Sequence, residues 1–304
     1  MKRKVLIADL LLLITAVIWG AAFVAQRVGM SHVGPFTFNG IRFLLGGLVL
    51  LPLALREKTQ VEIRENASQV VPGPRLVPAC FVAGILLFFG STLQQVGIVY
   101  TTAGKAGFIT GLYVLLVPLF GRLVGQKTDY GSWIGAILAA IGLYFLSVTE
   151  ALTIAWGDLL VLIGAGFWAV HVLVVGYVAK TLRPTAFASG QFLTCAVLSL
   201  LVAILYEEIR WAGLLAAAAP IFYGSFISVG IGYTLQVVAQ KDSPSAHAAI
   251  LLSLEAVFSA IAGWILVNEV MAPRALFGCG LLLSGTVIAQ VWPVFFPPKD
   301  AVGT

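Results

Sequence analysis

The stretch IWGAAF, Ile18–Phe23, sets a tryptophan among small residues inside an apolar run that covers residues 7–30. Crossing a bilayer takes roughly 20 apolar residues of helix, so this run is long enough to span. Working outward, comparable runs cover residues 36–55, 76–100, 102–124, 131–148, 157–179, 185–205, 212–239, 244–267 and 273–292. Ten predicted helices with short connections therefore fill the 304-residue chain, which is 60% hydrophobic and 10% charged with a mean hydropathy of +1.01. That balance excludes an ordinary soluble globular domain and predicts an all-α integral membrane protein.

The stretch also has a counterpart. A shift of 149 residues lays Trp19 over Trp168, in GFWAVH (Gly166–His171), and lays Arg42-Phe43-Leu44 over Gln191-Phe192-Leu193. A shift of 142 lays Thr92-Leu93-Gln94 over Thr234-Leu235-Gln236, Gly121 over Gly263 and Gln126 over Asn268. A shift of 143 lays Gly135 and Gly142 over Gly278 and Gly285. The matches run in order through five spans, and because five is odd the second copy enters the membrane the other way up. Two inverted five-helix repeats are the expected architecture: residues 1–148 and 157–292, an inter-repeat loop at 149–156, and a cytoplasmic tail at 293–304. Inverted repeats are a transporter signature, since two pseudo-equivalent bundles can expose one central site to each side in turn.

Charge gives the predicted orientation. The opening MKRKVLIADLLLLITAVIWGAA has the shape of a secretory signal, but its apolar run is long enough to span and belongs to the repeat, so it is expected to be retained. With the N-terminus in the cytoplasm, Lys2, Arg3, Lys4, Arg56, Lys58, Arg64, Arg75, Arg122, Lys127, Lys180, Arg183, Lys241 and Lys299 all fall inside. Both termini are then cytoplasmic in a multi-pass protein of the inner membrane. Topology explains the net charge of +5 without a nucleic-acid partner. Cys80, Cys195 and Cys279 lie in three separate spans without ligand spacing, so neither disulfide, metal nor cofactor is expected. The oligomeric state stays open; the small residues of the fifth and tenth spans are expected to pack within one chain.

Four stretches stand out beside the repeat: Trp19-Gly20 with Ala25-Gln26-Arg27, Asn39-Gly40-Ile41-Arg42-Phe43, Gly107 to Tyr113 with Pro118, and Ser253 to Phe258 followed by Asn268-Glu269. In these the chain resembles the EamA-type transporters of the drug/metabolite transporter superfamily. It departs where Gln126 replaces a frequent acidic residue and where Ala256 replaces a frequent proline. The resemblance implies a ten-helix inner-membrane carrier of amino acids or other small metabolites, with a central cavity between the halves.

Candidate site residues follow from placement. Tyr113 and Glu255 fall near the midpoints of the fourth and ninth spans and are equivalent under the 142-residue shift, as are Lys105 and His247 eight residues earlier. Eight residues rise about 12 Å along one broad helical face, so Lys105 is expected at the outer mouth of a path and His247 at the inner one. An ionisable group at mid-bilayer is a functional candidate by default, and Glu255 could carry a proton or meet a substrate ammonium. Trp19, Phe23 and Gln26 share one face of the first span and Trp168 and His171 one face of the sixth, while Gln94, Tyr233 and Gln236 supply polar handles from the third and eighth. Arg42, in the second span, is expected to be structural. Pro118 and Pro220 are expected to kink their spans.

The leading expectation is a secondary, alternating-access carrier exporting small polar metabolites, amino acids among them, with membrane lipid and a small-molecule substrate as partners and protons as a candidate coupling ion. The alternatives are a membrane-embedded enzyme and a passive channel for small solutes. The sequence holds no Walker loop, nucleophile elbow or HExxH, which counts against ATP-driven transport and against the enzyme.

Overall fold

A computed structural model of the chain describes residues 2–57, 75–101, 103–147, 156–267 and 273–296. Among these residues every regular element is helical, and no strand occurs. The first half holds α1 (Lys2–Gly29), α2 (Pro35–Arg56), α3 (Leu76–Tyr100), α4 (Ala103–Gly111), α5 (Tyr113–Leu123) and α6 (Tyr130–Ser147). The second holds α7 (Trp156–Val178), α8 (Pro184–Tyr206), α9 (Trp211–Ala216), α10 (Ala218–Phe222), a π-helical segment (Tyr223–Tyr233), α11 (Thr234–Ala239), α12 (Ser245–Leu252), α13 (Glu255–Val267) and α14 (Pro273–Phe295). Eight helical stretches among the described residues are long and apolar enough to cross a membrane, and Tyr130–Phe145 and Leu276–Ala289 are shorter apolar helices. The predicted inter-repeat loop before Trp156, the connector 58–74, the Asn268-Glu269 pair and the tail beyond residue 296 lie outside the described residues.

Prolines open helices where a missing N–H leaves nothing unpaired: Pro35 and Pro184 stand in the first turns of α2 and α8. The first turns of these two helices are then capped across the pair. Glu207 accepts from the backbone N–H groups of Phe36 and Thr37 at 2.9 and 2.7 Å, and Glu57 accepts from those of Thr185 and Ala186 at 3.0 and 3.1 Å. A carboxylate suits the positive end of a helix.

Three spans that read as uniform α-helices in the sequence depart from regular α-helix. The predicted fourth span divides at Leu112, where the N–H bonds Ile109 O at 3.2 Å instead of the residue four back. Gly107 and Gly111 give the helix its weakest intrinsic support there. The predicted ninth span divides at Ser253-Leu254 by side-chain competition: Ser253 Oγ donates to Ile250 O at 2.8 Å, and the Leu254 N–H turns to Leu251 O at 3.2 Å. In the predicted eighth span Pro220 lies just ahead of the π-helical stretch, which contains Gly224, Gly230 and Gly232. Its carbonyls are used by α1: Ser228 O accepts from Trp19 Nε1 at 3.3 Å and Gly232 O from Thr15 Oγ1 at 3.3 Å.

The core is built by close helix pairs, chiefly α6 with α14, α2 with α8, α3 with α7, α3 with α8 and α1 with α13. Glycine sets several of these approaches. A methyl on Gly135 would stand 2.6 Å from Gly285 O, and one on Gly142 would stand 2.6 Å from Gly278 O. Large apolar side chains such as Leu6, Leu10, Phe81, Leu201, Leu205 and Trp264 face outward, as lipid contact requires.

Candidate functional site

At the middle of the bundle a cavity of about 40 Å³ lies between side chains of both halves: Trp19, Ala22, Phe23, Gln26, Arg42, Gln94, Thr110 and Tyr113 from the first, Trp168, His171, Val172, Ser228, Tyr233, Gln236 and Glu255 from the second. Its size suits a few water molecules or one small solute. Both divided spans contribute at their breaks, since Tyr113 opens α5 and Glu255 opens α13. The Tyr113 hydroxyl donates to Glu255 Oε1 at 3.1 Å, joining the two breaks across the cavity.

Aromatic rings form the apolar wall around Tyr233. Trp19 lies 4.5 Å from it by ring centroids and Trp168, stacked, 6.1 Å. Phe192, Phe43 and His171 follow at 5.7, 6.0 and 6.4 Å. Such a wall holds the flat or aliphatic part of a solute without fixing its identity. Glycine makes room for both tryptophans: a Cβ on Gly90 would stand 3.2 Å from the Trp168 ring, and one on Gly232 2.8 Å from Trp19 Nε1.

The polar wall is tied internally. Gln94 Oε1 accepts from Trp168 Nε1 at 3.0 Å and from Thr110 Oγ1 at 3.4 Å, while Gln94 Nε2 donates to Gln26 Oε1 at 3.2 Å. Gln26 Nε2 in turn donates to Ala22 O at 3.2 Å. Linked amides of this kind hold their orientation because each would otherwise bury an unpaired group. Opposite, Gln236 Nε2 donates to Gln240 Oε1 at 3.0 Å, and His171 Nε2 lies 2.9 Å from Gln191 Oε1. Several buried atoms near this side have no hydrogen-bond partner among the described residues, including His171 Nδ1, Gln191 Nε2, Gln236 Oε1 and Asn39 Nδ2.

Ten of the residues expected from the sequence meet at this cavity: Trp19, Phe23, Gln26, Gln94, Tyr113, Trp168, His171, Tyr233, Gln236 and Glu255. His247 does not reach it. Its ring Nε2 instead sits 2.9 Å from Asp9 Oδ1, linking α12 to α1 in a half-buried pair. Lys105 falls in the first turn of α4, and its side chain lies outside the described residues. Arg42, expected to be structural, lines the cavity, as do Thr110 and Ser228. Thr110 stands one turn before Tyr113 and was legible from that spacing; Ser228 depends on the π-helical register, which hydrophobic periodicity does not reveal. Among the described residues no group of His, Cys, Asp or Glu could hold a metal ion.

The EamA-like transporter family model matches residues 6–148 and again residues 155–290. An uncharacterized transporter of Archaeoglobus fulgidus is 32% identical over 292 residues, covering 95% of this chain and 87% of the relative. The uncharacterized inner membrane transporter YedA of Escherichia coli strain K12 is 24% identical over 295 residues, covering 94% of this chain and 91% of its own length. A solved crystal structure with 20% sequence identity superposes with a TM-score of 0.76 over 96% of this chain and 99% of that one, a likeness of fold. A family match through nearly the whole length, with relatives named as transporters, places the chain: it belongs to the EamA-like transporter family and is a multi-span membrane transporter, not an enzyme.

Proposed function

We propose that the protein is a secondary carrier of ten spans in two inverted repeats, exporting small polar metabolites, amino acids among them, across the cytoplasmic membrane by alternating access. The observation that carries this is the Tyr113–Glu255 contact, which joins the breaks of two spans beside a buried cavity lined from both halves. Discontinuous helices meeting near the midplane are where transporters of inverted topology place their sites.

Pairwise contacts support the inverted repeat. Under the shifts of 142 and 143 residues Tyr113 and Glu255 are each other's equivalents, and so Gly135–Gly285 and Gly142–Gly278 exchange with one another. Trp168 against Gly90 has its counterpart in Trp19 against Gly232. Glu57 caps α8 as Glu207 caps α2. Each pair is what a two-fold axis in the membrane plane generates from the other. The twofold family match is consistent with the same division. The cluster of basic residues assigned to the cytoplasmic side supports termini on that side.

Glu255 is the cavity's carboxyl group, and we assign it the coupling proton or the substrate ammonium. Purified protein in proteoliposomes loaded with unlabelled solute is expected to show saturable counterflow of a labelled amino acid or small metabolite, and Glu255→Gln to lose it or to lose its dependence on a pH gradient. Flux that rises linearly with concentration and shows no counterflow would replace the carrier with a channel. Unchanged transport by Glu255→Gln would make the carboxyl structural.

A further inference from the structure

Resting on the carrier assignment of the cavity, we propose that Arg42 is the residue that receives the solute's anionic group, and that the transported solutes therefore carry a carboxylate. Arg42 is only 2% exposed, about two turns into α2, yet among the described residues it forms no ion pair. A charge buried without a counter-charge is unfavourable unless something else meets it.

The guanidinium is held in place without being used up. Nε donates to Asn39 Oδ1 at 3.0 Å, one turn earlier on the same helix, and the guanidinium carbon sits 4.8 Å from the centroid of the Phe43 ring and 5.6 Å from that of Phe38. These contacts fix the position and plane of the group. Its two Nη groups have no hydrogen-bond partner among the described residues, and the side chain lines the cavity. Arg27 and Arg183 differ. Arg27 Nη1 donates to the carbonyls of Ile98 and Thr101 at the end of α3, and Arg183 Nη1 donates to that of Glu57. Those are arginines that finish helix ends. Arg42 presents a preoriented, unoccupied pair of donors, the arrangement that matches a carboxylate edge-on.

The charge of the cavity selects the anion. Arg42 and Glu255 face the same small space. A monocarboxylate neutralises the guanidinium, and an ammonium on the same solute can meet Glu255; a phosphate dianion would leave excess negative charge beside that carboxyl. The repeat partner of Arg42 is the neutral Gln191, so the cation stands in one half only and gives a bound solute one orientation.

The test uses full-length protein, in nanodiscs for binding and in proteoliposomes for counterflow. The probes are α-amino acids of each side-chain class, each paired with its C-terminal amide, together with acetate, lactate and inorganic phosphate. The amide keeps the shape and the ammonium and removes only the anion. Wild type is expected to prefer acid over amide by roughly tenfold or more, the range of a charged hydrogen bond in a buried site. Arg42→Gln is expected to abolish that preference by weakening the acid while leaving the amide unchanged. Arg42→Lys, which keeps the charge but loses the paired Nη groups, is expected to retain part of it, and serves alone if the Gln variant does not fold. A merely structural arginine would lower both ligands together. An unchanged acid-to-amide ratio in a folded Arg42 variant, preference for phosphate over every carboxylate, or failure of wild type to bind any acid of the panel would overturn the proposal. Arg42-dependent binding of acids without counterflow would remove the carrier mechanism and leave this role standing; counterflow indifferent to the carboxylate would do the reverse.

Discussion

Replacing Gly20 by alanine tests whether the approach of α1 to α13 positions the site. A Cβ at Gly20 would lie 2.5 Å from Phe258 Cβ, 2.8 Å from the Phe258 carbonyl carbon and 2.8 Å from the Glu255 carbonyl oxygen. None of these atoms belongs to the far end of a flexible side chain, so no rotamer change relieves the clash and the two helices must part. Contacts between carbon atoms are comfortable at about 3.5–4.0 Å, so the separation has to grow by about 1 Å. A movement of that size stretches the 3.1 Å Tyr113–Glu255 bond past the limit of about 3.5 Å. Overpacking of this kind destabilises by about 1–3 kcal/mol. The assay is denaturant unfolding in detergent alongside counterflow, with Gly166→Ala as reference, because nothing lies within 4 Å of a Cβ at Gly166. The reference is expected to match or exceed wild-type stability, since alanine favours helix over glycine by up to about 1 kcal/mol. If Gly20→Ala proves as stable as Gly166→Ala and transports normally, the close approach does not hold the site.

Tyr113→Phe should keep the fold and weaken it by about 0.6 kcal/mol, the average for hydrogen bonds between membrane helices, and the loss should vanish in a Glu255→Leu background, which removes the acceptor, when unfolding is measured as a double-mutant cycle. Glu57→Gln and Glu207→Gln should each lower stability by about 1 kcal/mol by removing a carboxylate from a helix N-terminus, with the two effects additive because the sites lie at opposite ends of α2 and α8. Trp168→Phe retains a ring beside Tyr233 but deletes the donor to Gln94, so it should raise KM for counterflow more than it changes unfolding; the reverse outcome would make the indole a packing group.

Much of this molecule was legible because membrane helices announce themselves by length and because a repeat compares one half with the other. Trp19 and Trp168, or Gln94 and Gln236, could be placed on one cavity from spacing alone. Arg42 could not: its i,i+3 relation to Asn39 and its position over Gln191 were visible, but whether a guanidinium in a span meets a carboxylate, a carbonyl or a cavity depends on tertiary neighbours. The pairing of His247 with Asp9 was not legible, because nothing local reveals a partner so far away in the chain. The breaks at Leu112 and Ser253-Leu254 escaped for a related reason. Hydrophobic periodicity continues through them, and only the hydrogen-bond pattern shows one carbonyl taken by a serine hydroxyl.

The reciprocal caps on α2 and α8 restrict how the bundle can change shape. Glu207 grips the start of α2 at one end of the pair and Glu57 grips the start of α8 at the other. Sliding either helix along its neighbour by one turn, about 5.4 Å, would tear both carboxylates from their amides at once. Tilting the two as one body disturbs neither. The pair is therefore a strut, and spin labels near its two ends should hold a constant separation while labels on opposite sides of the Leu112 and Ser253 breaks move apart and together during turnover.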